Sequence, residues 1–374
     1  MTDFYVPRSE LAETLVKATA PDPILGTHAG LFLAAPRRTG KSTFLRRELI
    51  PLLEKNGVFA IYVDLWSDRE AEPGRLIADA VAGALDGLIG AARKLAKGLM
   101  PKSISVGGVT VDLNHAEGAR TGTLTDALIA IGDRAGRDVA LIVDEAQHAL
   151  STKAGQDAIF ALKAARDAMN QRERGPRLRL VFTGSHRDKL AGFVHGHKQP
   201  FFGASISDFP KLGRPYVDVL VKTLNRRLAA DNQLDADDVA AAFELVGHQP
   251  ELLTRLIRDH ALGEAGSTGL GKTVRDRADE LRAMRWEQHR SDFGALTDTQ
   301  RAVLMVLVDD GADFAPFTEK TLARASKRAG KKLSTSDVQK ALDALRDKSL
   351  VWRPARGLYA LEDQDMREWL RSLA

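Results

Sequence analysis

The chain has 374 residues, is 44% hydrophobic and 28% charged, and sets 54 lysines and arginines against 50 acids for a formal charge of only +4. That composition belongs to a globular protein with room for two or three separately cored domains, and so small a charge is only a weak pointer to nucleic acid. The absence of cysteine excludes disulfides and thiolate metal sites. No apolar run reaches membrane-spanning length and Met1-Thr2-Asp3 opens no export signal, so a cytoplasmic protein with no membrane partner is expected.

In chain order, Phe4 to Leu11 opens a short helix that runs to about Ala18, where Pro21 and Pro23 break it. Gly30-Leu31-Phe32-Leu33 reads as a buried strand, Ala34 to Thr43 as a tight loop, and Phe44 to Ile50 as an amphipathic helix. Gly57 to Leu65 is a second strand, Arg75 to Lys97 a helix, and Pro101 to Asn114 a β-hairpin about Gly107-Gly108. Leu124 to Ala135 (helix), Asp138 to Asp144 (strand), Gln156 to Arg172 (helix), Arg177 to Gly184 (strand) and Ala204 to Phe209 (strand) follow. This alternation predicts an α/β core with a mostly parallel five-stranded sheet covered on both faces. From Pro215 to Ala261 only helical periodicity remains, in three pieces divided at Asp231-Asn232-Gln233 and Gly247-His248-Gln249-Pro250. The expected domains are a core at 1–212, an all-α lid and linker at 213–290, and a third unit at 291–374.

The loop carries the chemistry. A strand, then Ala35-Pro36-Arg37-Arg38-Thr39-Gly40-Lys41-Ser42-Thr43, then a helix is the layout of a P-loop, in which backbone N–H groups and a helix N-terminus wrap a polyphosphate. Those nine residues are the candidate nucleotide-binding set. Lys41 would reach the β- and γ-phosphates and Ser42 would ligate Mg²⁺. Ala35 stands where the usual pattern has its first glycine.

The strand ending in Asp144-Glu145 supplies the second half of the chemistry. Asp144 would sit beside Mg²⁺, and Glu145 would polarise a water for in-line attack on the γ-phosphate. The next strand ends Phe182-Thr183-Gly184-Ser185. Thr183 and Ser185 are candidates to sense the γ-phosphate, with Ser185 preferred. Gly266-Ser267-Thr268-Gly269-Leu270-Gly271-Lys272-Thr273 matches the P-loop expression letter for letter. A helix precedes it and no buried face is expected at Val274 to Arg277, so Gly263 to Gly271 reads as a linker. His186, His195 and His197 read as loop histidines, since no helix spaces them across one face.

The last unit reads as helix (Thr299 to Val308), helix (Glu319 to Ala329), helix (Ser336 to Asp347), two wing arms (Leu350 to Arg353 and Gly357 to Leu361) and a closing helix (Asp365 to Leu373). This is the pattern of a winged helix-turn-helix domain. Arg324, Lys327, Arg328, Lys331, Lys332, Arg353 and Arg356 suit phosphate contacts to duplex DNA. Asp337, Asp343 and Asp347 on the third helix suit a protein-docking role instead.

With these residues in hand, the chain resembles P-loop ATPases of the AAA+ and STAND type, most closely the archaeal-type ATPases. Pro36 to Ser42 looks like that family's P-R-R-x-G-K-[ST] loop, Leu141 to Gln147 its Walker B strand, and Gly184-Ser185 its sensor strand end. Gln199-Pro200-Phe201-Phe202-Gly203 resembles its S-P-L-Y-G-R segment, Gly247 to Pro250 its lid turn, and Tyr5 to Arg8 with Leu11 the segment that covers adenine. Ala204 departs from the family's arginine, leaving Arg187 and Arg214 as substitutes for an arginine finger and Arg255 as a second-sensor candidate. The resemblance implies an ATPase using ATP and Mg²⁺, with Lys41, Asp144, Glu145 and Ser185 as catalytic residues and Ser42 and Asp144 as metal ligands. It further implies nucleotide-coupled binding of DNA or a partner through the winged helix, and either a homo-oligomer or an effector on a separate chain. The alternative is a nucleotide-gated regulator or assembly adaptor, such as a transposition or defence helper, with negligible turnover and a winged helix that docks protein.

Overall fold

The computed structural model of the chain describes residues 4–20, 30–92, 103–106, 108–112, 121–261, 270–355 and 357–373. By packing, Pro7–Ala35 and Lys41–Phe209 form one compact unit, and Pro210–Ala374 with Met1–Val6 and Pro36–Gly40 forms another.

In the first unit α1 (Ser9–Thr19) precedes a parallel sheet of β1 (Leu31–Ala34), β2 (Phe59–Asp64), β6 (Val139–Asp144), β7 (Leu178–Gly184) and β8 (Ile206–Asp208). The spatial order is β2-β6-β7-β1-β8. Central strands of such a sheet are buried on both faces and read as unbroken apolar runs, and every residue of β6 is buried. Alternation still sorts them. Phe32, Leu141, Val143, Leu180 and Phe182 face one core, while Leu33, Ala140, Ile142 and Val181 face the other. On the first face Phe32 and Phe182 stack at 4.8 Å, with Phe201 edge-on to Phe32 at 5.4 Å. On the second, the Arg8 guanidinium lies 4.4 Å from the Phe209 ring and 4.9 Å from that of Phe44, and the Arg8 N–H donates to Glu48 at 2.6 Å.

The helix expected after the loop is present in three registers: α2 (Lys41–Phe44), a π-helical stretch at Leu45–Leu49, and α3 (Ile50–Lys55). Pro51 explains the change. It has no N–H to give to the preceding turn, and the wider π turn meets it without a clash. The first face is covered by α4 (Pro73–Ala92), α5 (Leu124–Ala135) and α6 (Lys153–Asn170). Residues 93–97, expected to extend α4, lie outside the described residues.

The expected hairpin is β3 (Ser103–Val106) paired antiparallel with β4 (Val109–Asp112). It is joined by β5 (Thr121–Thr123), parallel to β3, which the sequence reading passed over because three residues carry no alternation. Also unanticipated are a 3₁₀ turn at Ala146–Ser151 and α7 (Arg187–Val194).

The second unit contains α8 (Arg214–Asn225), α9 (Ala236–Leu245), α10 (Pro250–Ala261) and α11 (Leu270–Gly294). Tyr216, Phe243 and Leu253 anchor their core, with Phe4 and Val6 packed against it. The turn between α9 and α10 places both Gly247 and His248 at positive φ, and His248 Nδ1 lies 3.0 Å from the Leu212 carbonyl oxygen. One expectation is corrected here. Val274 and Ala278 are fully buried in this core, so the segment following the second P-loop match is an amphipathic helix, the two side chains lying on one face four residues apart. Leu270 and Gly271 open that helix, and Gly263 to Gly269 of the expected linker lie outside the described residues.

The same unit ends with α12 (Asp298–Asp310), α13 (Glu319–Ala329), α14 (Thr335–Asp347), β9 (Val351–Ala355), β10 (Leu358–Leu361) and α15 (Gln364–Ser372), in the order of a winged helix-turn-helix. Capping boxes open α12 (Thr297 with Gln300) and α14 (Ser334 with Asp337), each cap being worth about 0.5–2 kcal/mol. Buried Trp369 meets Phe293 edge-on at 5.7 Å.

Candidate functional site

The site follows from strand order. β1 lies between β7 and β8, and the chain leaves β1 for β2 at the far edge of the sheet. Such a reversal opens a crevice beyond the carboxyl ends of the strands. The ends of β6 and β7, and α2 after β1, bring Lys41, Ser42, Asp144, Glu145, Thr183 and Ser185 together there.

Asp144 is fully buried, and a buried carboxylate must have donors. Its Oδ2 accepts from the Ser42 hydroxyl at 2.6 Å and the Tyr62 hydroxyl at 2.8 Å. Its Oδ1 accepts from the Thr183 hydroxyl and from the Glu145 N–H at 3.0 Å, and Lys41 Nζ lies 3.6 Å away. Glu145 sits in the left-handed region at φ 53° and ψ 39°, a conformation that costs a non-glycine residue about 1–3 kcal/mol. That turn swings its carboxylate back over the strand end. Oε1 accepts from Lys41 at 2.8 Å. Oε2 accepts from Gln147 Nε2 at 2.5 Å and from the Ser185 hydroxyl at 2.9 Å, and Gln147 Nε2 also reaches Ser185 Oγ at 3.1 Å.

Burial works to raise the Glu145 pKa, but Lys41, Gln147 and Ser185 together hold it below the ordinary glutamate value. Asp64 at the end of β2 pairs in register with Asp144, and burial, with the neighbouring Asp144 and Glu145 charges, raises its pKa. Burial and Asp144 likewise push the Tyr62 phenol up, while the Arg46 guanidinium lies 4.6 Å from the Tyr62 ring.

Tyr62 and Gln147 are the residues that reading the sequence missed. Tyr62 looks like any aromatic in a strand. Gln147 was read only as a letter of the Walker B motif, yet it is one of few buried polar residues among those described.

The loop preceding Lys41 has its own geometry. Arg38 (φ 64°) and Gly40 (φ 85°) are left-handed, and the Thr39 hydroxyl donates to the Pro36 carbonyl at 2.8 Å. Of the arginine-finger substitutes, Arg187 pairs with Asp208 at 2.6 Å and Arg214 with Asp218 and Asp237, both at 2.6 Å. Arg255 is exposed on α10. His197 lies against Phe202, ring to ring at 4.6 Å, and among the described residues no three or more His, Cys, Asp or Glu are arranged so that they could hold a metal ion. No described helix is long and apolar enough to cross a membrane.

In the winged helix, Arg324 pairs with Asp309 at 2.7 Å and with Asp310, and Arg328 pairs with Asp309 at 2.8 Å. Lys327, Lys331 and Lys332 are exposed and line a groove of about 550 Å³ with Glu319, Leu322 and Leu333.

A parallel sheet in this order, a loop after β1 running into Lys41-Ser42, and acids closing β6 give this part of the chain the fold of an AAA+-like P-loop core. Family comparison agrees: residues 26–190 match the model of the AAA domain. Among solved structures the chain is similar to the Walker-type ATPase of Pyrococcus abyssi, with 16% identity over 98% of this chain and 96% of that one and a TM-score of 0.56. It is also similar to the ORC2 protein of Aeropyrum pernix in its ADP form, with 13% identity over 99% and 97% of the two chains and a TM-score of 0.55. No curated protein matches the sequence. At these identities the likeness is one of fold.

Proposed function

We propose that the chain is an Mg²⁺-dependent ATPase that couples nucleotide state to a partner of its winged helix. The observation that carries the reading is the convergence of Lys41, Ser42, Asp144 and Glu145, with Ser42 Oγ 2.6 Å from Asp144 Oδ2 and Lys41 Nζ 2.8 Å from Glu145 Oε1. The ADP form of the A. pernix neighbour supports a nucleotide ligand. The hydroxyl of Ser42 and the carboxylate of Asp144 are hard oxygen donors of the kind Mg²⁺ takes. The ion, when bound, would neutralise charge on the β- and γ-phosphates.

This chain's own groups would do the rest. The loop Ala35 to Gly40, with Lys41 and Thr43, would cradle the phosphates. Glu145 would accept a proton from a water whose oxygen bonds to the γ-phosphorus, as the bond from that phosphorus to the bridging oxygen breaks to give ADP and phosphate. Ser185, bonded to Glu145, would report whether the γ-phosphate is present. Lys41→Ala is expected to abolish ATP binding in calorimetry. Glu145→Gln should keep binding within about threefold and lose at least about a hundredfold in phosphate release. Rapid turnover by the Glu145 variant would remove that residue from the mechanism.

The pairing of Arg324 and Arg328 with Asp309 and Asp310 favours a second reading of the output: a winged helix that docks a protein, either a second copy or a separate effector, with DNA contact left to lysines. Comparing phosphate release with and without duplex DNA separates the two outputs.

A further inference from the structure

The two oxygens of Glu145 are held by different groups for different ends. Oε1 faces Lys41 at 2.8 Å, whereas Oε2 is held from behind by Gln147 at 2.5 Å and Ser185 at 2.9 Å. We propose that Gln147 is a positioning residue: its amide tethers Oε2, so that Glu145 stays aimed when the phosphates of ATP draw Lys41 away and leave Oε1 to receive the proton of the attacking water. This inference rests on the hydrolytic reading above and assigns the tether within it.

Three features of the structure argue for a built tether. Gln147 is 4% exposed, so its amide is not a surface group that happens to reach the carboxylate. Its orientation is set by charge, because only the NH₂ end can donate to Oε2 and Ser185 Oγ, while the other end is a buried oxygen with no hydrogen-bond partner among the described residues. Gly184 makes the room: a Cβ at that position would come within 2.5 Å of Gln147 Oε1 and 2.8 Å of the Leu190 side chain. The glycine between Thr183 and Ser185 therefore admits the amide, and a nucleophile-orienting group misplaced by about 1 Å can lose about a hundredfold in rate.

Gln147→Met keeps the length of the side chain and removes both bonds. It should lower kcat by at least about tenfold while the ATP dissociation constant, measured in EDTA, stays within about threefold. Gly184→Ala, which displaces the amide without altering Gln147, should show the same split, and it stands in if Gln147→Met does not fold. A readout independent of turnover is the Gln147 side-chain amide resonance in the nucleotide-free protein, assigned by its loss in Gln147→Met. Glu145→Ala should shift it, because its charged acceptor is gone. An unmoved resonance, or full kcat in the Gln147 and Gly184 variants, overturns the tether. Absence of phosphate release by the unaltered chain, with the resonance shifting as expected, would instead sink the hydrolytic reading and leave the tether standing.

Discussion

At the scale of residues, the site is governed by how the buried carboxyl of Asp144 finds its donors. Four donors reach its two oxygens, and the Thr183 hydroxyl is the one that is itself fully buried. Thr183→Val keeps the shape and removes the donor, leaving a buried acceptor short of a partner. It is expected to cost about 1–3 kcal/mol, read as a lower urea midpoint at unchanged slope; an unchanged midpoint would mean that Asp144 does not depend on this bond. Lys41, Ser42, Asp144 and Glu145 were legible because strand, loop and acid occur in a fixed order along the chain. Tyr62 was not, because it meets Asp144 only through the pairing of β2 with β6. Gln147 was not, because its return to Glu145 depends on the left-handed backbone at Glu145, which no periodicity announces.

At the scale of elements, long periodic segments were readable and short ones were not. α5 spans Leu124–Ala135 and α13 Glu319–Ala329, where the sequence pattern put them, since an apolar stripe and a cap agree at each. β5 and α7 are held by neighbours rather than by pattern. The basic run on α13 shows how the place of an element can be read from sequence while the partners of its charges are not. Asp309 and Asp310 close α12, where the helix dipole already concentrates negative charge. Arg324 and Arg328 offset it, and those partners lie too far back in sequence to enter the run's own charge. Any DNA contact through α13 and the turn that follows it should therefore rest on Lys327, Lys331 and Lys332. Replacing the three with alanine is expected to flatten the slope of log affinity against log salt by about 3. Arg324→Ala should leave that slope unchanged and lower the stability of the winged helix. A slope that responds to Arg324 and ignores the lysines would reverse the assignment.

At the scale of the molecule, the lid helices and the winged helix belong to one compact unit, and α11 is the member they share. Its first turns bury Val274 and Ala278 with the lid core, and its last turns pack Trp286 and Phe293 against the winged-helix core. Over 25 residues it spans about 37 Å. Near the crossover Arg285 donates to the Leu245 carbonyl at the end of α9 and pairs with Asp365 of α15 at 3.1 Å. Trp286 Nε1 donates to the same carboxylate at 3.4 Å, and His289 Nε2 lies 3.2 Å from it. Burial works to raise the Asp365 pKa, but His289 and Arg285 outweigh it and bring it down to about 2 from 3.8. A carboxyl depressed in the folded state stabilises above its unfolded value and loses that contribution as pH falls through its folded value. The window here is pH 4 down to pH 2. With the side chain 20% exposed, solvent screening leaves about 1–2 kcal/mol of the difference the shift implies. Asp365→Asn should therefore lie below the unaltered protein by that amount at pH 7. Urea midpoints measured downward from pH 5 should converge toward pH 2, because about half of the native carboxyl is protonated there and most of its contribution has been lost. A gap that persisted unchanged to pH 2 would trace the loss to packing at the head of α15 and not to the charge that ties it to α11.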